Sequence, residues 1–187
     1  MNRSNSFRLG MAARWVKSGG IIAYPTEAVF GLGCDPADPL AVGRLLDIKQ
    51  RPVDKGLILV AADQRQLAPW IQPLSAAHEA RLQRSWPGPN TWLVPAAQNC
   101  PAWLTGRHST LAVRVTAHPL VRALCNRLGS ALVSTSANIS NLQPARSVLE
   151  VQLRFAALID YILPGQLGSS AQPTPIRDLL SGRVVRQ

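Results

Sequence analysis

The sequence predicts an α/β fold with a mixed sheet, forming one domain over residues 1–187. Three observations point there. Short apolar runs of strand length, such as Ile21-Ile22-Ala23-Tyr24 and Ala131-Leu132-Val133, are interspersed with amphipathic helical segments. The alternation is irregular, which favours mixed parallel and antiparallel strands over a regularly doubly wound sheet. No internal repeat, linker or low-complexity tail divides the chain, and 187 residues that are 47% apolar suffice for a sizeable core.

The elements follow in order. Residues 6–18 carry Phe7, Met11 and Trp15 at helical spacing, with Leu9 and Val16 nearby, and Gly19-Gly20 stops that helix. A strand over Ile21–Tyr24 leads to Pro25-Thr26-Glu27-Ala28-Val29-Phe30-Gly31-Leu32-Gly33. Proline leaves Thr26 and Glu27 at the strand's C-terminal end, where ligands gather in open α/β sheets; Gly31 and Gly33 allow close backbone approach there, with a structural turn as the alternative. They match no phosphate-loop pattern. Asp38 and Pro39 cap a helix whose apolar face is Val42, Leu45, Leu46 and Ile48.

That helix ends near Gln50 and delivers Lys49-Gln50-Arg51-Pro52-Val53-Asp54-Lys55, three cations in seven residues, ahead of a buried strand from Gly56 to Ala61. In extended backbone Lys49 and Arg51 point the same way and could grip one anion; a solvated basic turn is the alternative. Asp63 and Ser75 read as caps of two further helices, with His78 solvent-facing near the start of the second. Trp86-Pro87-Gly88-Pro89 is a turn and Thr91–Pro95 a strand. Trp70, Trp86, Trp92 and Trp103 either stack bases or pack in the core.

Ser109–Val115 is a strand with Arg114 inside it, and a buried arginine needs an anion or a paired carboxylate. His118-Pro119 opens a helix with Leu120, Val121, Leu124 and Leu128 on its apolar face, ended by Gly129. The strand Ala131–Val133 runs into Ser134-Thr135-Ser136-Ala137-Asn138-Ile139-Ser140. These hydroxyls and the amide suit phosphate oxygens or an amino-acid headgroup, or form a Ser/Thr-rich turn. No acid–base partner nearby marks a serine nucleophile. Ser147-Val148-Leu149-Glu150 is a capping box. A strand over Ala157–Leu163, a Gly-, Ser- and Pro-rich loop over Gly165–Pro175, and a hairpin of Ile176–Leu180 with Arg183–Arg186 close the chain.

Charge and cysteines bound the function. Twenty Lys and Arg against ten Asp and Glu leave +10, mostly arginine, so the expected partners are anionic: a nucleotide, RNA, or both. Cys34, Cys100 and Cys125 are scattered and show no metal-ligand spacing, which fits a reducing compartment; Cys34 reads as a small buried residue. With no signal peptide and no apolar run of about 20 residues, the expectation is a cytoplasmic protein with no membrane contact.

Tyr24-Pro25-Thr26-Glu27, Lys49-x-Arg51-Pro52 and Ser136-Ala137-Asn138, in that order and spacing, resemble the YrdC family over essentially the whole chain. The resemblance is to its short bacterial branch, which lacks the C-terminal domain of longer relatives. It implies a twisted mixed sheet flanked by helices around a basic cavity. The implied reaction joins L-threonine, bicarbonate and ATP into threonylcarbamoyl-AMP, releasing pyrophosphate. That intermediate serves threonylcarbamoyladenosine formation at adenosine 37 of tRNAs reading codons that begin with A. Lys49, Arg51, Ser136 and Asn138 match the family's nucleotide tetrad, with Lys49 and Arg51 as catalytic charges. Thr110, Pro144, Arg186 and, as an added charge, Lys55 fall on the nucleotide side; Thr26, Arg114, Ser134 and Thr174 fall on the threonine side. Lys55-Gly56-Leu57 stands where longer relatives have Asn-Pro-Leu, and Pro173–Asp178 replaces their Ser-Thr-Val-Val-Asp.

In that reaction the nucleophile is a carbamate made from small substrates, so catalysis rests on holding two anions together and neutralising their charge. Mg2+ is expected to arrive on ATP, since no clustered carboxylates suggest a protein-built site. Direct tRNA contact and downstream threonylcarbamoyl-transfer proteins complete the expected partners. A second class, an RNA-binding or ribosome-assembly factor without catalysis, also fits the charge and the tryptophans. A third, another ATP-using ligase or carbamoyl-transfer enzyme, shares the implied fold.

Overall fold

The structure, a computed structural model, describes residues 3–140, 142–170 and 174–186. Its helices are α1 (Arg3–Lys17), α2 (Pro39–Lys49), α3 (Ala76–Gln83), α4 (Ala102–Thr105), α5 (Pro119–Leu128) and α6 (Val148–Phe155). Its strands are β1 (Ile22–Pro25), β2 (Phe30–Gly33), β3 (Ile58–Ala61), β4 (Thr91–Pro95), β5 (Thr110–Val115), β6 (Leu132–Ser136), β7 (Tyr161–Ile162), β8 (Ile176–Asp178) and β9 (Val184–Arg186). The strands form one sheet in the order β7-β1-β2-β6-β3-β5-β4-β8-β9. Three neighbouring pairs are parallel (β1 with β7, β3 with β5, β4 with β8) and the others antiparallel, so the sheet is mixed as expected.

Alternation along the strands feeds two cores. Ile22, Tyr24, Val60 and Leu132 face α1 and α5, while Ile21, Ala23, Leu59, Ala61 and Val133 face the opposite side with α2 and α6. Local caps set the helices where the sequence placed them. Asp38 Oδ1 accepts from the backbone N–H groups of Leu40 and Ala41, and Ser147 Oγ accepts from that of Glu150. Glu150 reaches back to the N–H of Arg146, one residue before the cap.

Several elements differ from the sequence reading. The buried stripe of α1 is Leu9, Ala12, Ala13 and Val16, while Phe7 is 70% exposed and Trp15 39%. The face with small residues wins because α1 packs closely on α5, where the Arg127 guanidinium already lies against Gly10. Phe30–Gly33 is a strand rather than part of a turn. Its glycines are there for close approach: a Cβ on Gly33 would lie 2.3 Å from the Val133 oxygen. Strand β6 continues through Ser134 and Ser136, and β7 is shorter than Ala157–Leu163. Asp63 caps a single 3₁₀ turn over Gln64–Leu67 rather than an α-helix, and His78 is half-buried. The loop over Gly165–Pro175 is a loop where described; its residues 171–173, and Gln187, lie outside the described residues.

Four of the five tryptophans pack inward, Trp15 being the exception. Trp86 and Trp92 are buried, with ring N–H groups donating to the Asn90 oxygen and Ser85 Oγ. Trp70 and Trp103 pack against the core, and Trp103 donates to the Pro36 oxygen. Cys34 and Cys125 are buried free thiols; burial pushes Cys125 up to about 12 and raises Cys34 further, with Asp35 adding to the effect.

Candidate active site

On the α1–α5 side, those helices cover the part of the sheet around Val60 and Leu132. Two residues on, β6 presents Ser134 and Ser136 on the same face, and β3 presents Ile58 beside Ser134. This uncovered part of the face is a cavity of about 350 Å³. It is bounded by the Thr26–Phe30 turn, the end of α2 with its basic loop, Arg114 of β5, the Ser134–Ser140 segment, Thr174 and Arg186.

One group of side chains is cationic. Lys49 ends α2, and Gln50 follows in the left-handed region at φ 49°, so the stretch is not extended and Lys49 and Arg51 do not run side by side as expected. The Lys49 side chain turns inward and is 2% exposed. Its ammonium donates to the backbone oxygens of Ser136 at 2.6 Å and Asn138 at 2.7 Å, and to Asn138 Oδ1 at 3.2 Å. The Lys49 carbonyl accepts from both the N–H and the hydroxyl of Ser140. Burial, with Arg51 adding to it, lowers the ammonium from 10.5 to about 8. Arg51 Nη2 donates to the Gly56 oxygen at 2.9 Å. Its pKa is lowered by burial and then by the neighbouring charge of Arg186.

Two glycines hold this basic loop. Gly106 sits at φ +63°, and a Cβ there would lie 2.3 Å from the Asp54 oxygen; Gly56, also at φ +63°, faces the Thr105 oxygen in return. The loop is therefore seated on the backbone after α4.

The second group is a chain of buried polar contacts. Arg114 Nη2 lies 3.4 Å from Glu27 Oε2, and Arg114 Nη1 donates to Thr174 Oγ. Arg114 was open between an anion and a carboxylate; it has the carboxylate and still lines the cavity. Thr26 Oγ donates to the Val29 oxygen at 2.7 Å, which leaves its lone pairs able to accept. The segment before residue 171 crosses here, with the N–H groups of Gly168 and Ser170 donating to the Thr26 and Glu27 oxygens.

The structure brings Thr26, Lys49, Arg51, Lys55, Arg114, Ser134, Ser136, Asn138, Pro144, Thr174 and Arg186 to one cavity. Thr110 is not in its lining: it is on the same face as Arg114, two strand alternations away beside Pro95. The sequence places Glu27 at the ligand-gathering end of its strand and Ser140 in the hydroxyl cluster, but names a contact for neither. The demand of Arg114 for a carboxylate was the available signal for Glu27. Among the described residues lining the cavity, Glu27 is the one carboxylate, and it is already held by Arg114 and Thr116. Among the described residues no group of three or more metal-ligating side chains forms.

The chain matches the Sua5–YciO–YrdC family model, described as telomere recombination, over residues 14–187. It is 55% identical over 181 residues to a threonylcarbamoyl-AMP synthase of Halorhodospira halophila, covering 97% of this chain and 95% of that one. A protein of the same name from Pseudomonas aeruginosa is 53% identical over 182 residues, covering 97% and 98%. Among solved structures, P. abyssi Sua5 complexed with L-threonine matches with a TM-score of 0.87 at 32% identity, over 93% of this chain. This chain spans 51% of that Sua5 chain. E. coli YciO matches with a TM-score of 0.84 at 27% identity, over 100% of this chain and 91% of that one.

Proposed function

The chain belongs to the Sua5–YciO–YrdC family, and we propose that it is a nucleotidyltransferase that makes threonylcarbamoyl-AMP and pyrophosphate from L-threonine, bicarbonate and ATP. One observation carries the reading beyond kinship. Lys49, Arg51 and Arg186 line one cavity, and Arg51 feels the like charge of Arg186 without a free carboxylate among the described lining residues. Such a gathering of like charges favours a polyanion, and a triphosphate supplies one. Beside it, Arg114, Thr26, Ser134 and Thr174 offer donors and acceptors suited to an amino acid.

The chemistry follows from that pairing. The threonine amine condenses with bicarbonate, losing water, to give a carbamate. A carbamate oxygen attacks the α-phosphorus of ATP, the bond from α-phosphorus to its bridging oxygen breaks, and pyrophosphate leaves. Lys49 holds the Ser136–Asn138 turn that faces the nucleotide, while Arg51, Lys55 and Arg186 neutralise the phosphates. Pro144 borders the nucleotide, and Thr110 lies outside the cavity lining. Arg114 holds the threonine carboxylate, with Thr26, Ser134 and Thr174 as polar contacts. Bringing both anions into one site supplies the orientation. Magnesium enters as part of the MgATP substrate.

The product serves tRNA, and we place a threonylcarbamoyl-transfer protein downstream, with direct tRNA contact through the chain's excess of ten positive charges. The inward packing of Trp70, Trp86, Trp92 and Trp103 weakens one support for RNA binding without catalysis. Among the described residues no helix is long and apolar enough to cross a membrane; the proposed working place is the cytoplasm.

The test is pyrophosphate release by purified protein with MgATP and bicarbonate, with and without L-threonine and without RNA. Threonine-dependent release with a threonylcarbamoyl-AMP mass peak is expected. Folded protein that releases none overturns the reading.

A further inference from the structure

Glu27 has no part in the scheme above, yet it is the middle of a directed chain of contacts. The His118 backbone N–H donates to Thr116 Oγ at 3.0 Å, so the proton of that hydroxyl is free to go to Glu27 Oε1, with which Thr116 makes a short hydrogen bond. The other carboxylate oxygen faces Arg114 Nη2, and Arg114 Nη1 reaches Thr174. Glu27, Arg114, Thr116 and His118 are all buried.

An Arg–carboxylate pair frequently closes on itself, with two parallel N–H···O bonds at about 2.7–2.9 Å. This one does not. Its contact is 3.4 Å through a single nitrogen, and Arg114 Nε is buried with no hydrogen-bond partner. Glu27 Oε2 is likewise buried with no hydrogen-bond partner, so the pair is not closed, and Arg114 still lines the cavity. We propose that Glu27 is a positioning residue for amino-acid binding: fixed by Thr116, it orients the Arg114 guanidinium for the substrate carboxylate. The proposal rests on the reading given under Proposed function and adds to it the residue that sets threonine affinity without touching ATP.

Two physical effects oppose each other when Glu27 becomes neutral, and the experiment separates them. A bare Arg114 attracts any carboxylate more strongly, which would tighten threonine binding. A guanidinium without its anchor loses its orientation, which weakens it. The geometry favours the second, because the fork is what reads a carboxylate.

The test is a steady-state and calorimetric comparison of wild type, Glu27→Gln and Thr116→Val. Glu27→Gln is expected to raise the threonine KM and the calorimetric Kd for L-threonine about tenfold, with the ATP KM within about twofold of wild type. Thr116→Val, which keeps both charges, is expected to move the threonine values the same way by about threefold. If Glu27→Gln does not fold, Thr116→Val alone decides. Threonine values that stay unchanged or tighten, or that rise in step with the ATP KM, overturn the positioning role. A wild type that neither binds threonine nor releases pyrophosphate overturns the underlying reading instead.

Discussion

Lys49 and Asn138 are joined twice, through the Asn138 backbone oxygen at 2.7 Å and its Oδ1 at 3.2 Å, and Ser136 takes the third bond of the ammonium. All three protons of the ammonium are thereby committed. The charge of Lys49 reaches the nucleotide side through a turn it shapes, whose Asn138 amide is itself tied to the Ile139 and Leu142 oxygens.

Lys49→Ala therefore removes both a charge and the tie between α2 and the Ser136–Asn138 turn. It is expected to lower threonine-dependent pyrophosphate release at least ~100-fold. Arg51→Ala, which removes one phosphate-neutralising cation, is expected to do the same. Folded variants with near-normal release would remove these two residues from the catalytic machinery.

The lowered pKa of Lys49 gives a signed pH prediction. Below about pH 8 the ammonium is charged in both the folded and the unfolded chain. Between about 8 and 10.5 the folded chain gives up this proton first, so the unfolded chain binds more protons and this group's contribution to stability rises with pH. Activity moves the opposite way, because a neutral amine cannot donate to three oxygens. The alkaline limb of kcat/KM is expected near pH 8, and to move to higher pH in Lys49→Arg. A limb unmoved by that substitution assigns the titration elsewhere.

Arg114→Ala leaves the Glu27 carboxylate buried without its counter-charge. Breaking such a pair from one side costs about 3–5 kcal/mol of folding stability. Replacing both members, as Arg114→Met with Glu27→Met, is expected to recover most of that. Urea midpoints of the single and double variants measure it; equal losses in the two would show that the pair is not coupled.

Gly106→Ala is expected to reach the active site from outside it. Its Cβ would meet the Asp54 oxygen at 2.3 Å and the Gly56 nitrogen at 2.6 Å, in a backbone conformation that costs a non-glycine residue about 1–3 kcal/mol. The basic loop must shift, so the ATP KM should rise together with the loss of stability. A variant with wild-type ATP KM would show that the loop position tolerates the shift.

Much of the fold was legible because its signals are local. Asp38 with Pro39 starts α2, Ser147 starts α6, and Gly129 ends α5, each through contacts within a few residues. The irregular run of strands was enough for a mixed sheet. Gly31 and Gly33 left close backbone approach and a structural turn both open, because glycine marks the two alike, and which one applies depends on the neighbouring strand. The spacing of Phe7, Met11 and Trp15 was helical, but period alone does not say which of two apolar stripes meets α5.

The site divides the same way. The sequence alone determined a +10 charge dominated by arginine, three ordered motifs, and an interior arginine in need of a counter-ion. Tertiary structure alone decided that Lys49 turns inward to Asn138, that Arg51 and Arg186 line one cavity, that Thr110 stands outside its lining, and that Glu27 is the partner of Arg114. The reason is physical. Caps, periods and charge are properties of neighbouring residues, whereas a pairing between Glu27 and Arg114 exists only after strand order and register have been set by burying both faces of the sheet.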